Sequence, residues 1–169
     1  GIPIELDYSW FLIFAVVAWT LAAGYFPAEF QNWPTAAYWL VGLATAVVFF
    51  LSVLLHELGH SIVARHYGIP VSNIKLFLFG GVSQIQTEPP SAKVEFLMAL
   101  VGPLVSFVLA GVFAGLGVAF ASVAPLMALA KYLAYINGAL GLFNLIPGFP
   151  LDGGSVFLAV VWAFTNNLL

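Results

Sequence analysis

The pentapeptide HELGH at residues 56–60 places three reactive side chains inside a long apolar run. Positions i and i+4 of an α-helix share one face, so His56 and His60 can bind one metal ion. Glu57 flanks that face closely enough to hold a metal-bound water and act as its general base. The H-E-x-x-H pattern therefore predicts a catalytic metal site. The structural alternative is that these polar groups only bridge helices.

The metal site needs a third ligand, because a catalytic zinc usually takes three protein ligands and a water. The chain has no cysteine, which leaves histidine and carboxylates. His66 follows at the end of the same helix and is better suited to the membrane interface. Asp152 lies in the segment NLIPGFPLDGG at 144–154, where two prolines interrupt the helix. Broken backbone can reach the depth of the histidines, so Asp152 is the favoured ligand; its alternative role is to N-cap the following helix.

A bound metal also explains ionisable residues in so apolar a segment. Zn²⁺ with the carboxylates of Glu57 and Asp152 sums to zero charge. The sum stays zero after Glu57 takes a proton from the bound water and leaves zinc-hydroxide. A neutral total is favourable because net charge is costly in a site of low dielectric.

The composition is that of a membrane protein. Of the 169 residues, 63% are hydrophobic and 7% are charged, whereas soluble domains average about 25% charged residues. A transmembrane helix needs about 20 apolar residues, and the stretches that approach or exceed this length are Tyr8–Phe26, Ala36–Tyr67, Ala92–Ala121, Ala124–Ile146 and Asp152–Leu168. We therefore expect an all-α polytopic membrane protein with about five transmembrane helices in one catalytic domain, residues 1–169. The first helix is expected to be retained, because Glu5 and Asp7 replace the basic region of a signal peptide.

Residues 68–93, between helices two and three, have a different pattern. Apolar and other residues alternate over 74–79, Gly80 and Gly81 mark a turn or kink, and 82–86 looks extended. This predicts a short membrane-associated β-hairpin, with an amphipathic loop as the alternative. Unwound substrate backbone in a membrane needs hydrogen-bond partners, which an added strand could find here. The candidate substrate-binding residues are Gly80, Gly81, Val82, Ser83 and Gln84.

The basic residues suggest an orientation. Arg65, Lys75 and Lys93 fall between helices two and three, and Lys131 alone lies on the opposite side. The positive-inside rule places the former side in the cytoplasm, so the active site is expected nearer that face. A net charge of −3 provides no basic patch for nucleic acid.

Three motifs in this order carry a family resemblance: HELGH, G-P-L at 102–104, and N-x-x-P-x-x-P-L-D-G-G at 144–154. Together they resemble the site-2 protease family of intramembrane zinc metalloproteases over about residues 36–156, the three-helix catalytic core. The family often has Arg at the position of Ser155.

The resemblance implies one Zn²⁺ per chain, held by His56, His60 and Asp152, with Glu57 as general base. It implies that Asn144 helps to hold the substrate carbonyl or oxyanion; the alternative for Asn144 is local backbone capping. The substrates would be transmembrane proteins cleaved near the cytoplasmic side, in the plasma membrane of a prokaryote.

Two other functions remain open on sequence grounds. A transporter or ion-binding protein could use the His, Asp and Glu cluster as its ion site, although only one interrupted helix is seen and no matching repeat. A serine-type protease is disfavoured, with Ser61 beside His60 as its single hint.

Overall fold

A computed structural model describes residues 1–78 and 80–165. Its elements in chain order are β1 (Ile4–Leu6), α1 (Tyr8–Thr20), a π-helical turn (Leu21–Tyr25), α2 (Phe26–Glu29), α3 (Thr35–His66), β2 (Val71–Phe77), β3 (Gly80–Ile85), α4 (Ala92–Ala119), α5 (Ala124–Asn144) and α6 (Asp152–Thr165).

The helices confirm a polytopic membrane protein. Among the described residues, four helical segments are long and apolar enough to span a bilayer: Tyr8–Glu29, Thr35–His66, Ala92–Ala119 and Ala124–Asn144. The fifth predicted helix is described over 14 residues, Asp152–Thr165, which is shorter than a span; residues 166–168 of the prediction lie outside the described residues. Large apolar side chains such as Val108 and Val118 are exposed on helix surfaces, as expected where lipid is the solvent.

The helix α4 lies at the centre of the bundle and packs against α3, α5 and α6. A polar contact also joins α5 to α3, where the Asn137 amide donates to the Ser52 hydroxyl over 3.3 Å. Both residues are buried, and such hydrogen bonds help to hold membrane helices together. Four helices therefore share one packed interior.

The predicted hairpin is present, because β2 and β3 pair antiparallel. Gly80 and Gly81, which were expected to mark a turn or kink, are the first two residues of β3, and Gly80 has a φ of +123°. The sheet has a third strand that the sequence pattern did not reveal: β1 pairs parallel with β2, in the order β1-β2-β3. Three residues are too few for a periodic signal, and their partner lies about seventy residues later.

An ion pair fastens this sheet to the first helix. Lys75 Nζ lies 2.8 Å from Asp7 Oδ2, and Asp7 also accepts hydrogen bonds from the Ser9 amide and hydroxyl at the start of α1. The hydrogen bond from Lys75 and those from Ser9 hold the pKa of Asp7 well below its ordinary value. The pair therefore stays charged at neutral pH and links β2 to the N-terminus of α1.

We predict that Gly42→Ala destabilises the bundle, because a Cβ at Gly42 would lie 2.9 Å from the Cβ of Ala22 and 3.0 Å from its backbone nitrogen. Overpacking of this kind costs about 1–3 kcal/mol, so the thermal midpoint in detergent should fall. The matched control is Gly115→Ala in α4, where nothing lies within 4 Å of the added Cβ. Equal midpoints for the two variants would contradict the close contact.

Candidate active site

His56, His60 and Asp152 converge at one point. The histidines lie on α3 and are 3% and 8% exposed, and Asp152 is the first residue of α6. His56 Nε2 is 3.0 Å from Asp152 Oδ2, and His60 Nε2 is 3.3 Å from Asp152 Oδ1. One ligand atom from each residue lies within 4.8 Å of the other two. The three residues predicted as metal ligands are therefore brought together.

The hydrogen bonds of His60 test whether this group fits a metal ion. Its Nδ1 is 2.6 Å from the carbonyl oxygen of Met98. A carbonyl can only accept, so Nδ1 carries a proton, and in the neutral ring Nε2 presents its lone pair. That buried nitrogen has no hydrogen-bond partner and faces a carboxylate oxygen, which is also an acceptor. With the ring neutral, a cation shared by these two acceptors would satisfy both, and the donor set suits Zn²⁺.

The helix α4 supports the two histidines. Ser106 Oγ lies 2.9 Å from His56 Nδ1, so this ring can also direct Nε2 towards Asp152. Gly102, in the G-P-L motif, faces both rings, and a Cβ at that position would come within 2.6 Å of His56 Nε2. A glycine is thus required beside the ligand atoms. Ser106 and the Met98 carbonyl were missed from the sequence, where a lone serine and a backbone carbonyl carry no motif.

Glu57 is held by β3. Its Oε2 accepts a hydrogen bond from Ser83 Oγ over 2.9 Å, and its Cγ packs so closely on Gly81 that a Cβ there would lie 2.6 Å away. Ser61 donates to Ser83 over 3.1 Å, which adds a second link between α3 and the strand. The carboxylate therefore sits between the metal-ligand group and the hairpin.

The outer edge of β3 is free of strand partners among the described residues. In the central strand β2, Ile74 and Leu76 bond to the β1 segment, so Lys75 and Phe77 turn their backbone groups to β3, opposite Val82 and Gly80. Backbone direction alternates along a strand, and Gln86 N donates inward to Pro70 O. The outward N–H and C=O groups are therefore those of Gly81, Ser83 and Ile85.

All but two of the predicted site residues meet in one cleft of about 280 Å³. It is lined by the metal-ligand group and Glu57 from α3 and α6, by Asn144 at the end of α5, and by strand residues Gly81, Val82 and Ser83. Gly80 instead lines an adjoining cavity of about 270 Å³ that shares Glu57 and Asn144. Gln84 is exposed and lines neither cavity.

Three other candidates are placed by the structure. Asn144 donates its amide to Leu140 O over 3.0 Å, which is the local role, while its side chain borders both cavities. His66 lies at the end of α3 beside a separate apolar groove. Ser61 is fully buried and donates to Ser83, which gives it no role as a nucleophile.

Comparisons with known proteins agree with this geometry. The model of peptidase family M50 matches residues 44–128 and 117–169. A protein of Synechocystis sp. named as a zinc metalloprotease is 45% identical over 170 residues, which cover 99% of this chain and 44% of that protein. Rip3 of Mycobacterium tuberculosis, also named as a zinc metalloprotease, is 38% identical over 165 residues, covering 96% of this chain and 42% of Rip3. The chain thus spans less than half the length of these relatives.

A solved structure extends the agreement to the fold. The site-2 protease from Methanocaldococcus jannaschii superposes with a TM-score of 0.62 at 31% identity, covering 98% of this chain and 69% of that one. The family match spans most of the chain, and the motifs it contains form the site described above. The chain therefore belongs to peptidase family M50, the site-2 protease family.

Proposed function

We propose that this chain is the catalytic domain of an intramembrane zinc metalloprotease that hydrolyses peptide bonds in transmembrane segments of other proteins. The observation that carries the proposal is the convergence of His56, His60 and Asp152 beside Glu57, in a cleft among apolar helices. Residues 1–169 form one domain in this proposal, with its core at 36–156.

In this proposal His56 Nε2, His60 Nε2 and one Asp152 oxygen hold a single Zn²⁺. When bound, the ion supplies Lewis acidity, which polarises a peptide carbonyl and lowers the pKa of water towards about 7. The Met98 carbonyl keeps a proton on Nδ1 of His60, and Ser106 orients the ring of His56.

Glu57 is the proposed general base. Its carboxylate accepts a proton from the attacking water as the new C–O bond forms, and passes it to the leaving nitrogen as the C–N bond breaks. Ser83 donates to Oε2 and so orients the carboxylate. Asn144 can turn its amide from Leu140 O to the substrate carbonyl oxygen, where it stabilises developing negative charge.

Residues of β3 are proposed to hold the substrate. A scissile bond is accessible only where the substrate helix unwinds, and its freed backbone groups need partners within the membrane. The outward groups of Gly81, Ser83 and Ile85 can accept an added strand along the same cleft. Of the predicted strand residues, Gly80, Val82 and Gln84 keep their backbone groups turned towards β2.

The proposed membrane is the plasma membrane of a prokaryote, with the site nearer the cytoplasmic face. Arg65, Lys75 and Lys93 all lie at the end of the bundle that carries the hairpin, and the positive-inside rule puts this end in the cytoplasm. The substrate partners are single transmembrane segments that reach the cleft through the bilayer.

A serine hydrolase is the alternative that one observation favours, because Ser106, His56 and Asp152 are connected in the order of a catalytic triad. Ser106 is fully buried and does not line the cleft. Its hydroxyl therefore cannot reach a substrate carbonyl, and the metalloprotease is favoured. A transporter that used the same cluster would not need a general base. Replacing Glu57 therefore distinguishes a transporter from a protease.

We predict that Asp152→Ala lowers zinc binding at least tenfold and abolishes cleavage, because it removes both oxygens that face the histidines. Zinc content after dialysis against a chelator, measured by mass spectrometry, tests the change. Asp7→Ala, at the chain's other aspartate, is the control and should keep one zinc per chain. Full zinc and full activity in Asp152→Ala would refute the ligand assignment.

We predict that Glu57→Gln keeps the zinc and reduces the cleavage rate about 10²–10⁴-fold, the range that general base catalysis contributes. Cleavage of single-span model proteins in proteoliposomes measures the rate. Glu29→Gln, at an exposed site, should cut normally. Normal cleavage by Glu57→Gln would exclude Glu57 as the base.

We predict that Ile85→Pro reduces cleavage at least tenfold while zinc stays bound, because it removes an outward N–H and leaves the bonds to β2 intact. Ile85→Ala keeps the N–H and provides the control for lost side-chain packing. Gln84→Pro should instead destabilise the hairpin, since its N–H faces β2. If Ile85→Pro folds, holds zinc and cuts at the rate of Ile85→Ala, strand addition is wrong.

A further inference from the structure

One carboxylate in the cleft has no part in the proposed chemistry. Glu95 lies in the first turn of α4 and lines the same cavity as the metal-ligand group. We propose that Glu95 selects substrates with a basic residue about three positions from the scissile bond, on its cytoplasmic side. This inference rests on the proposed proteolysis and names a class of substrate for it.

The position of Glu95 follows from helix geometry. It precedes Met98 by three residues and Gly102 by seven, so all three lie on the face of α4 that meets the histidines. Seven residues correspond to roughly 10 Å along the helix at 1.5 Å each. Glu95 is therefore about 10 Å closer than the metal-ligand group to the end of α4 that carries the hairpin.

The charge of Glu95 is not balanced within the described part of the chain. The ion pairs there join Asp152 to the two histidines and Asp7 to Lys75, and none involves Glu95. Its side chain is partly buried, with the Ser155 hydroxyl as its polar neighbour. A partly buried carboxylate is stabilised by a cation at short distance, so a group that fills the cleft can supply the missing charge.

The two cavities beside Glu57 differ in polarity. The one towards Glu95 contains that carboxylate and Ser155, whereas the one on the other side of Glu57 is lined largely by apolar groups, Ile13, Val17, Phe49, Phe50 and Val53 among them. A bound segment thus meets apolar walls on one side of the scissile bond and a negative charge on the other. That pattern matches the cytoplasmic end of a transmembrane segment, where Lys and Arg follow apolar residues.

The spacing sets the position of the basic residue. A strand added to β3 advances about 3.3 Å per residue, so roughly 10 Å corresponds to three residues from the scissile bond. The long side chain of Lys or Arg can extend further to meet Glu95, and a glutamate at that position would be repelled.

The test uses the zinc-loaded full chain in proteoliposomes and three single-span substrates that carry Lys, Gln or Glu three residues from the cleaved bond. For wild type we expect kcat/KM to be about tenfold higher with Lys than with Gln, and lowest with Glu, as for a charge-assisted hydrogen bond. Glu95→Gln should bring the Lys-to-Gln ratio towards one. Ser155→Arg, which supplies an internal cation beside Glu95, should do the same. The matched control is Glu29→Gln, at an exposed residue outside both cavities, which should keep the ratio within twofold.

The outcomes separate this inference from the proteolysis itself. Equal cleavage of the Lys and Gln substrates by wild type, or an unchanged ratio in Glu95→Gln, would overturn the role of Glu95 and leave the protease intact. Failure of zinc-loaded wild type to cut any of the three would overturn both. If Glu95→Gln does not fold, the ratio in Ser155→Arg decides the question.

Discussion

Two acceptors that face each other, one on a buried histidine and one on a partly buried aspartate, are the central feature of the interior of this protein. His60 Nε2 and an Asp152 oxygen approach to 3.3 Å, and the Met98 carbonyl keeps the proton of that ring on the other nitrogen. In an apolar bundle such an arrangement is unfavourable unless a cation lies between the acceptors. The surrounding structure is arranged around this requirement: α3 carries both rings, α4 leaves space for them at Gly102, and α6 begins at Asp152.

The central position of α4 has several consequences for the site. On one face of this helix, Glu95 lines the cleft and the Met98 carbonyl orients the ring of His60. Gly102 leaves room for both histidine rings, and Ser106 contacts the ring of His56. A rotation or shift of α4 would disturb the rings and the cleft together. The packing of α4 against three other helices therefore holds the relative positions on which the proposed chemistry depends.

In the described part of the chain, the small sheet presents an open strand edge beside the partly buried carboxylate of Glu57. Exposed edges are normally a liability because they invite pairing with other chains, but here the edge borders the cleft in which the substrate is proposed to unwind. Ser83 and Gly81 join the same strand to Glu57. Binding of an added strand and placement of the base are thus coupled through adjacent residues of β3. The ion pair between Asp7 and Lys75 ties this unit to the first helix.

The sequence alone determined the features that depend on local spacing or overall composition. The i, i+4 relation of His56 and His60 requires only a helix, apolar composition predicts membrane spans, and the two prolines predict the break that carries Asp152. The family match agrees with these motifs, and the sequence also predicted the hairpin.

Tertiary structure alone decided the features that depend on contacts between residues far apart in the chain. The short strand β1 forms only by pairing with β2. The outward direction of the Ser83 and Ile85 backbone groups follows from the register between β2 and β3. Ser106 and Glu95 come next to the site only when α4 packs against α3 and α6. Contacts between distant segments leave no periodic signal in the chain, so the sequence could not reveal these two residues.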